Sequence, residues 1–194
     1  ILESTLKMIQ EINGDIKNEF EIRMLDLYGR NKCEENYKCD IIKGAIKNFL
    51  KKVLRIKKNP LNKADIICKI VSRKFCEIAD ENTKAVIFVG GGLIKFSHQI
   101  IAQPMCEILN IAQNKKIPVM LSAVGVEGYD KNSRECQKLK KALNLDCVKM
   151  ITTRDDIDIL NNFYIINKQI VTSKVADPAC SIADLYPHVP KERK

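Results

Sequence analysis

The chain has 194 residues, enough for one compact domain with a sizeable core and too few for two ordinary ones. Lys and Arg total 33 against 24 Asp and Glu, a formal charge of +9, yet residues 40–64 alone hold seven Lys, one Arg and one Asp, so the basicity is local. No run approaches the roughly 20 apolar residues that cross a bilayer, and no charged-then-apolar leader opens the chain, so a soluble protein is expected.

Leu2, Leu6, Ile9 and Ile12 form a helical apolar stripe already under way at Ile1, which points to sequence upstream. Asn13-Gly14 stops that helix, and Phe20 to Leu27 alternates in part and reads as a strand. Ile42, Ile46, Phe49, Leu50, Val53 and Leu54 mark an amphipathic helix whose other face carries Lys43, Lys47, Lys51 and Arg55. That stripe could meet nucleic acid or an anionic membrane. With no aromatic residue on the lysine face and no nucleic-acid signature, a solvated helix face is the plainer account. Asn59-Pro60 breaks the helix, and Asn62 is the expected cap of the next, which buries Ile67, Ile70, Val71, Phe75 and Ile78.

From residue 85 onward, short apolar runs alternate with helices, the rhythm of βαβ units and a parallel sheet. Strands are predicted at Val86–Val89, Ile117–Val124, Val148–Thr152 and Gln169–Ser173. Between them lie a helix over Ile100–Ala112, broken in two at Pro104, a helix at Arg134–Leu143, and another at Asp155–Phe163. Eight cysteines are scattered with no CxxC pair and no His at ligand spacing, so they read as free, buried thiols of a cytosolic protein, with no metal site and no cofactor expected.

In a parallel sheet the strand ends share one edge, so Gly90 to Gly92, Gly125 to Glu127, Thr153-Arg154 and Ala176-Asp177-Pro178 should face one cleft. The glycine triplet either bares main-chain N–H groups to a ligand or simply makes a tight turn. Arg154, between a strand end and a helix opened by Asp155 and Asp156, is suited to grip a phosphate or carboxylate. The alternative is an ion pair with its Asp neighbours, which themselves suit the positive end of that helix. His98 is either a donor near bound substrate or a structural histidine, the commoner role. Asp177 would orient a sugar hydroxyl or Arg154, or close a turn before Pro178. Glu127 is a possible base, although an exposed loop glutamate is the commoner outcome. His188, between Pro187 and Pro190, reads as a linker residue.

Four segments taken in order, Ala85 to Ile94 (AVIFVGGGLI), Val124-Gly125-Val126, Ile151 to Asp156 (ITTRDD) and Val175 to Ala179 (VADPA), resemble the polysaccharide pyruvyl transferase family. The resemblance covers roughly residues 85–186, and residues 1–30 look like the helix and second strand that come after the family's first strand. It implies a cytoplasmic bacterial enzyme of surface-glycan (exopolysaccharide) assembly that moves pyruvate from phosphoenolpyruvate to a saccharide hydroxyl. Peripheral contact with a membrane-bound glycan lipid and no nucleic-acid partner are implied with it.

The implied fold is a Rossmann-like, mostly parallel α/β sheet with helices on both faces, one half of a two-domain enzyme resembling GT-B glycosyltransferases. Arg154 and His98 would be its catalytic residues in this chain. Gly90, Gly91, Gly92, Gly125, Glu127 and Asp177 would bind substrate. The family's Arg-Leu-His segment, its acid-catalytic element, does not occur in this sequence. The expectation is therefore an amino-terminal domain over residues 1–186, lacking its first strand, with residues 187–194 leading toward a carboxy-terminal partner domain. Such a piece should be inactive alone. Two other classes compete: a nucleotide-sugar glycosyltransferase of the same layout, and a basic binding module centred on residues 40–64.

Overall fold

The computed structural model describes residues 21, 23–27, 60–177 and 180, with side chains from residue 63 onward in the first helix. The stripes expected at residues 1–12 and 42–54, Pro178, His188 and the segment 187–194 lie outside these.

The first described helix, α1, runs Pro60–Ile78. It starts two residues ahead of the expected Asn62 cap, because proline's fixed φ and missing N–H suit a first helical turn. Strand β1 (Val86–Val89) leads to α2 (Gln99–Lys115), β2 (Val119–Val124), α3 (Arg134–Leu143) and β3 (Val148–Thr153). A single turn α4 (Ile157–Ile159) widens into a π-helical turn (Leu160–Tyr164) before β4 (Val171–Lys174) closes the order.

Helix α2 is continuous across Pro104, not broken as expected. The ring lies in the second turn, where its missing N–H forfeits one bond to Ile100 O. Burial of Met105, Ile108 and Leu109, roughly 2 kcal/mol for each side chain, outweighs that loss.

All four strands are parallel and lie in chain order β1-β2-β3-β4. Right-handed crossovers between neighbours put the connecting helices on one face. The register agrees: Phe88, Leu121 and Ile151 pair across the sheet and are buried, with Thr172 next in the row. The adjacent row of opposite pleat, Ile87, Met120, Met150 and Val171, is less covered, with Ile87 43% and Val171 55% exposed. Helix α1 lies against α2, adding Val71 and Phe75 to the same core.

The strand expected over Phe20–Leu27 does not form in its described residues, 21 and 23–27, which are irregular. They are anchored instead by side chains. Leu25 and Leu27 pack on the core, and Arg23 Nη1 donates to Ile78 O and to Asp80 Oδ2, both at 2.9 Å. The thiols also divide: Cys68, Cys136 and Cys147 are buried as expected, whereas Cys76 and Cys180 are exposed.

Candidate active site at the carboxyl edge of the sheet

The end of β1 turns through Gly90 and Gly91 at φ +59° and +69°, a left-handed conformation that would cost an L side chain about 1–2 kcal/mol per residue. Gly90 N–H donates to Ser122 O at 2.9 Å, so the turn is tied to β2 as it begins. Gly125 N–H then donates to Gly91 O at 2.7 Å, and Ile94 N–H to Gly125 O at 3.1 Å. A Cβ on Gly125 would stand 3.0 Å from Asp155 Oδ2 and 3.1 Å from Gly92 Cα, so the two strand ends meet only because this residue has no side chain. Among the described residues no acceptor serves the N–H groups of Gly91, Gly92 or Leu93. The Lys95 side chain lies across Gly92, its Cδ 3.5 Å from where a Cβ would be.

Strand β2 reaches this edge through a bulge. Its pairing with β3 slips between Leu121 and Val124, and Ala123 takes φ +51°, a conformation that tertiary contacts must hold. The holding contact is Ala123 N–H to the Thr152 hydroxyl at 2.8 Å.

The next residue, Thr153, is the only fully buried polar side chain among the described residues. Its hydroxyl donates to Val124 O at 2.8 Å and accepts Asp155 N–H at 3.0 Å. Asp155 Oδ2 in turn accepts Val126 N–H at 2.9 Å. Asp156 caps the short helix, its Oδ1 accepting from Asp158 N at 2.8 Å.

Neither neighbour holds the Arg154 side chain. Its Nη1 donates to Asp177 Oδ2, just past the end of β4, with the two side chains 26% and 32% exposed. Of the roles open to Asp177, sugar hydroxyl, Arg154 or turn closure, the fold supplies the contact with Arg154, and the Asp177 carbonyl also accepts Cys180 N–H at 2.8 Å. Arg154, Asp155, Lys174, Val175, Ala176 and Asp177 line a cleft of about 610 Å³ at the ends of β3 and β4. A permanently charged guanidinium steadied by one carboxylate, with an ammonium beside it, is equipped to receive an anion.

Glu127 and His98 are placed differently. The Glu127 carboxylate is occupied by Ser97, accepting its hydroxyl at 2.6 Å and its N–H at 3.1 Å, which clasps the β2 end to the loop after β1. His98 stands exposed at the N-cap position of α2, and its imidazole makes no capping bond. It shares the carboxyl edge with the glycine turn but not the cleft lining.

Lys95 and Lys174 were not singled out by the sequence patterns, which placed Thr153 at the cleft edge and Asp155 at a helix start without the hydrogen bonds found here. A Lys three residues past the glycines and another at the end of β4 were the available signals. The buried groups offer no rival chemistry. Burial pushes the Cys106 thiol up to about 12 and raises Cys68 and Cys147, which leaves them poor nucleophiles at neutral pH. Tyr164 is raised by burial and by its hydrogen bond with Cys136. Its hydroxyl donates to Gly128 O at 3.1 Å.

With this edge described, comparison with protein families is decisive. The sequence profile of polysaccharide pyruvyl transferase matches residues 1–194, the whole chain. This chain belongs to the polysaccharide pyruvyl transferase family. No curated protein matches it, and no solved structure does either. As a polysaccharide pyruvyl transferase family member it is a transferase with a saccharide acceptor, and the described residues of the four segments that carry the resemblance meet at one sheet edge. No described helix is long and apolar enough to cross a membrane. The lysine-rich stretch 40–64 lies almost wholly outside the described residues.

Proposed function

We propose that this chain binds phosphoenolpyruvate in the cleft at the ends of β3 and β4 and serves the transfer of its pyruvyl group to a saccharide hydroxyl. The observation that carries this is Arg154, a half-buried guanidinium presented at a parallel-sheet edge with Lys174 lining the same cleft. Phosphoenolpyruvate bears a carboxylate and a phosphate ester on one carbon. A fork and a point charge side by side suit that pair of anionic groups.

In the reaction the methylene carbon takes up a proton, which leaves an oxocarbenium-like centre at the substituted carbon. A sugar hydroxyl adds there and loses its proton. A second hydroxyl displaces inorganic phosphate, which closes a cyclic ketal. Arg154 holds an anionic group of the donor and keeps it oriented, and Asp177 fixes the guanidinium plane. The glycine turn of Gly90–Gly92, with the unspent N–H groups of Gly91 and Gly92 and with Lys95, faces the acceptor side of the same edge. None of these residues supplies an acid for the methylene carbon, and the family's Arg-Leu-His segment is absent from this sequence. The chain by itself should therefore bind donor without turning it over. The enzyme works on the cytoplasmic side of a bacterial membrane, in exopolysaccharide assembly.

Calorimetric titration with phosphoenolpyruvate and with nucleotide sugars, on the native chain and on Arg154→Ala, tests this. Phosphoenolpyruvate binding that weakens about tenfold or more in Arg154→Ala is expected, the worth of one charge-assisted contact. Binding of a nucleotide sugar alone would move the protein to the glycosyltransferases.

A further inference from the structure

Of the run Thr152-Thr153-Arg154-Asp155, only Arg154 has its charge turned to an ion-pair partner in the cleft, while the residues around it are spent on main-chain groups of β2. Thr153 is tied on both sides: its hydroxyl donates to Val124 O of β2 and accepts Asp155 N–H, and its main-chain carbonyl accepts Val175 N–H, just past β4, at 2.9 Å. Asp155 continues the chain of bonds by accepting Val126 N–H and by standing against Gly125, which packs on the glycine turn. The bonds of Thr153 and Asp155 close immediately before and after Arg154, so the backbone from which that side chain projects is fixed in place.

We infer that Thr153 and Asp155 are positioning residues: they fix the Arg154 backbone between β2 and β4 so that the guanidinium meets the donor in one orientation. This rests on reading Arg154 as the anion-binding group. The Thr153 hydroxyl does more than satisfy its own hydrogen-bonding capacity. Here its acceptor role fixes the N–H of the residue after the arginine, and its donor role fixes the carbonyl to which the arginine N–H is also directed, at 3.3 Å.

The experiment is a double-mutant cycle on the full chain. Thr153→Val, Thr153→Ser, Arg154→Ala and the Thr153→Val/Arg154→Ala pair are titrated with phosphoenolpyruvate and with inorganic phosphate, beside thermal unfolding of each. Thr153→Val should weaken binding about tenfold, Thr153→Ser should return it to within about twofold, and Thr153→Val should cost nothing further once Arg154 is gone. Wild-type affinity in Thr153→Val, or a loss that adds in full to that of Arg154→Ala, overturns the inference. Asp155→Ala, a change at an exposed side chain, carries the same test if Thr153→Val does not fold. If inorganic phosphate binds through Arg154 and phosphoenolpyruvate does not, the donor assignment falls while the cycle is still read with phosphate. If neither binding depends on Arg154, both fall.

Discussion

The two edges of the sheet are finished in opposite ways. At the amino edge the chain closes its polar groups on itself. Asn144, after α3, donates to Lys140 O and Tyr164 O, both at 2.7 Å, and accepts from Ile166 N and Asn167 N at 2.6 and 2.8 Å. Gln113 Oε1 accepts Cys147 N–H at 2.7 Å, and Lys116 takes a left-handed C-cap. At the carboxyl edge the chain uses left-handed glycines, a bulge with Ala123 at positive φ, and an arginine with one carboxylate. The glycine turn, the bulge at Ala123 and the Arg154–Asp177 pair gather at the carboxyl edge, whereas among the described residues the amino edge has Lys116 alone at positive φ. The difference teaches that side chains seal the amino edge on itself, whereas the carboxyl edge, where open parallel sheets in general bind ligands, is shaped by backbone conformation.

Asn144→Ala would break the amino edge most severely. Four hydrogen bonds go with one side chain, and three of the main-chain groups left unpaired are part-buried, so unfolding should become easier by about 3 kcal/mol while phosphoenolpyruvate affinity stays put. Chemical denaturation and calorimetry on the same variant read both quantities. A matching loss of affinity would mean that the two edges are not separable.

Gly125→Ala puts a methyl group 3.0 Å from Asp155 Oδ2 and 3.1 Å from Gly92 Cα, against backbone that cannot move freely. It should cost about 2 kcal/mol of stability and also weaken anion binding, because the glycine turn and Arg154 share that junction. Gly91→Ala has open space around it and pays only for its φ of +69°, about 1 kcal/mol, so the pair separates steric packing from conformation.

Arg154→Ala reverses the pattern of Asn144→Ala. Its ion pair with Asp177 is partly exposed and contributes less than about 1 kcal/mol to folding, so thermal unfolding should barely move while donor binding falls. A large drop in melting temperature with intact binding would show Arg154 to be structural.

The smallest effect concerns the other Arg–Asp pair, Arg23 with Asp80, which fastens residues 23–27 to the end of α1. The Arg23 hydrogen bond lowers the Asp80 carboxyl below its ordinary 3.8. A depressed carboxylate stabilises the fold above its unfolded pKa and loses that contribution as pH falls through the lower folded value. Arg23→Ala should therefore flatten the stability profile only below about pH 4, and unfolding midpoints at pH 7 and pH 3 check it.

Much of this was decided by sequence alone. Period-2 and period-3.6 patterns after residue 85 determined four strands, their intervening helices and a parallel sheet, because burial against one face requires those spacings whatever the tertiary detail. The same pattern put Gly90–Gly92, Gly125, Arg154 and Asp177 at one edge, since parallel strands must all end on the same side. Alternation over Phe20–Leu27 was misleading, for strand propensity yields to whatever partners the chain finds, and there they are the core and Asp80. Only the tertiary structure decided which carboxylate meets Arg154, that Glu127 is tied to Ser97, and that Thr153 and Asp155 join β2 to β3. Those contacts pair residues 23 to 30 positions apart, and no local periodicity encodes a hydrogen bond between neighbouring strands until the register of the sheet has been set.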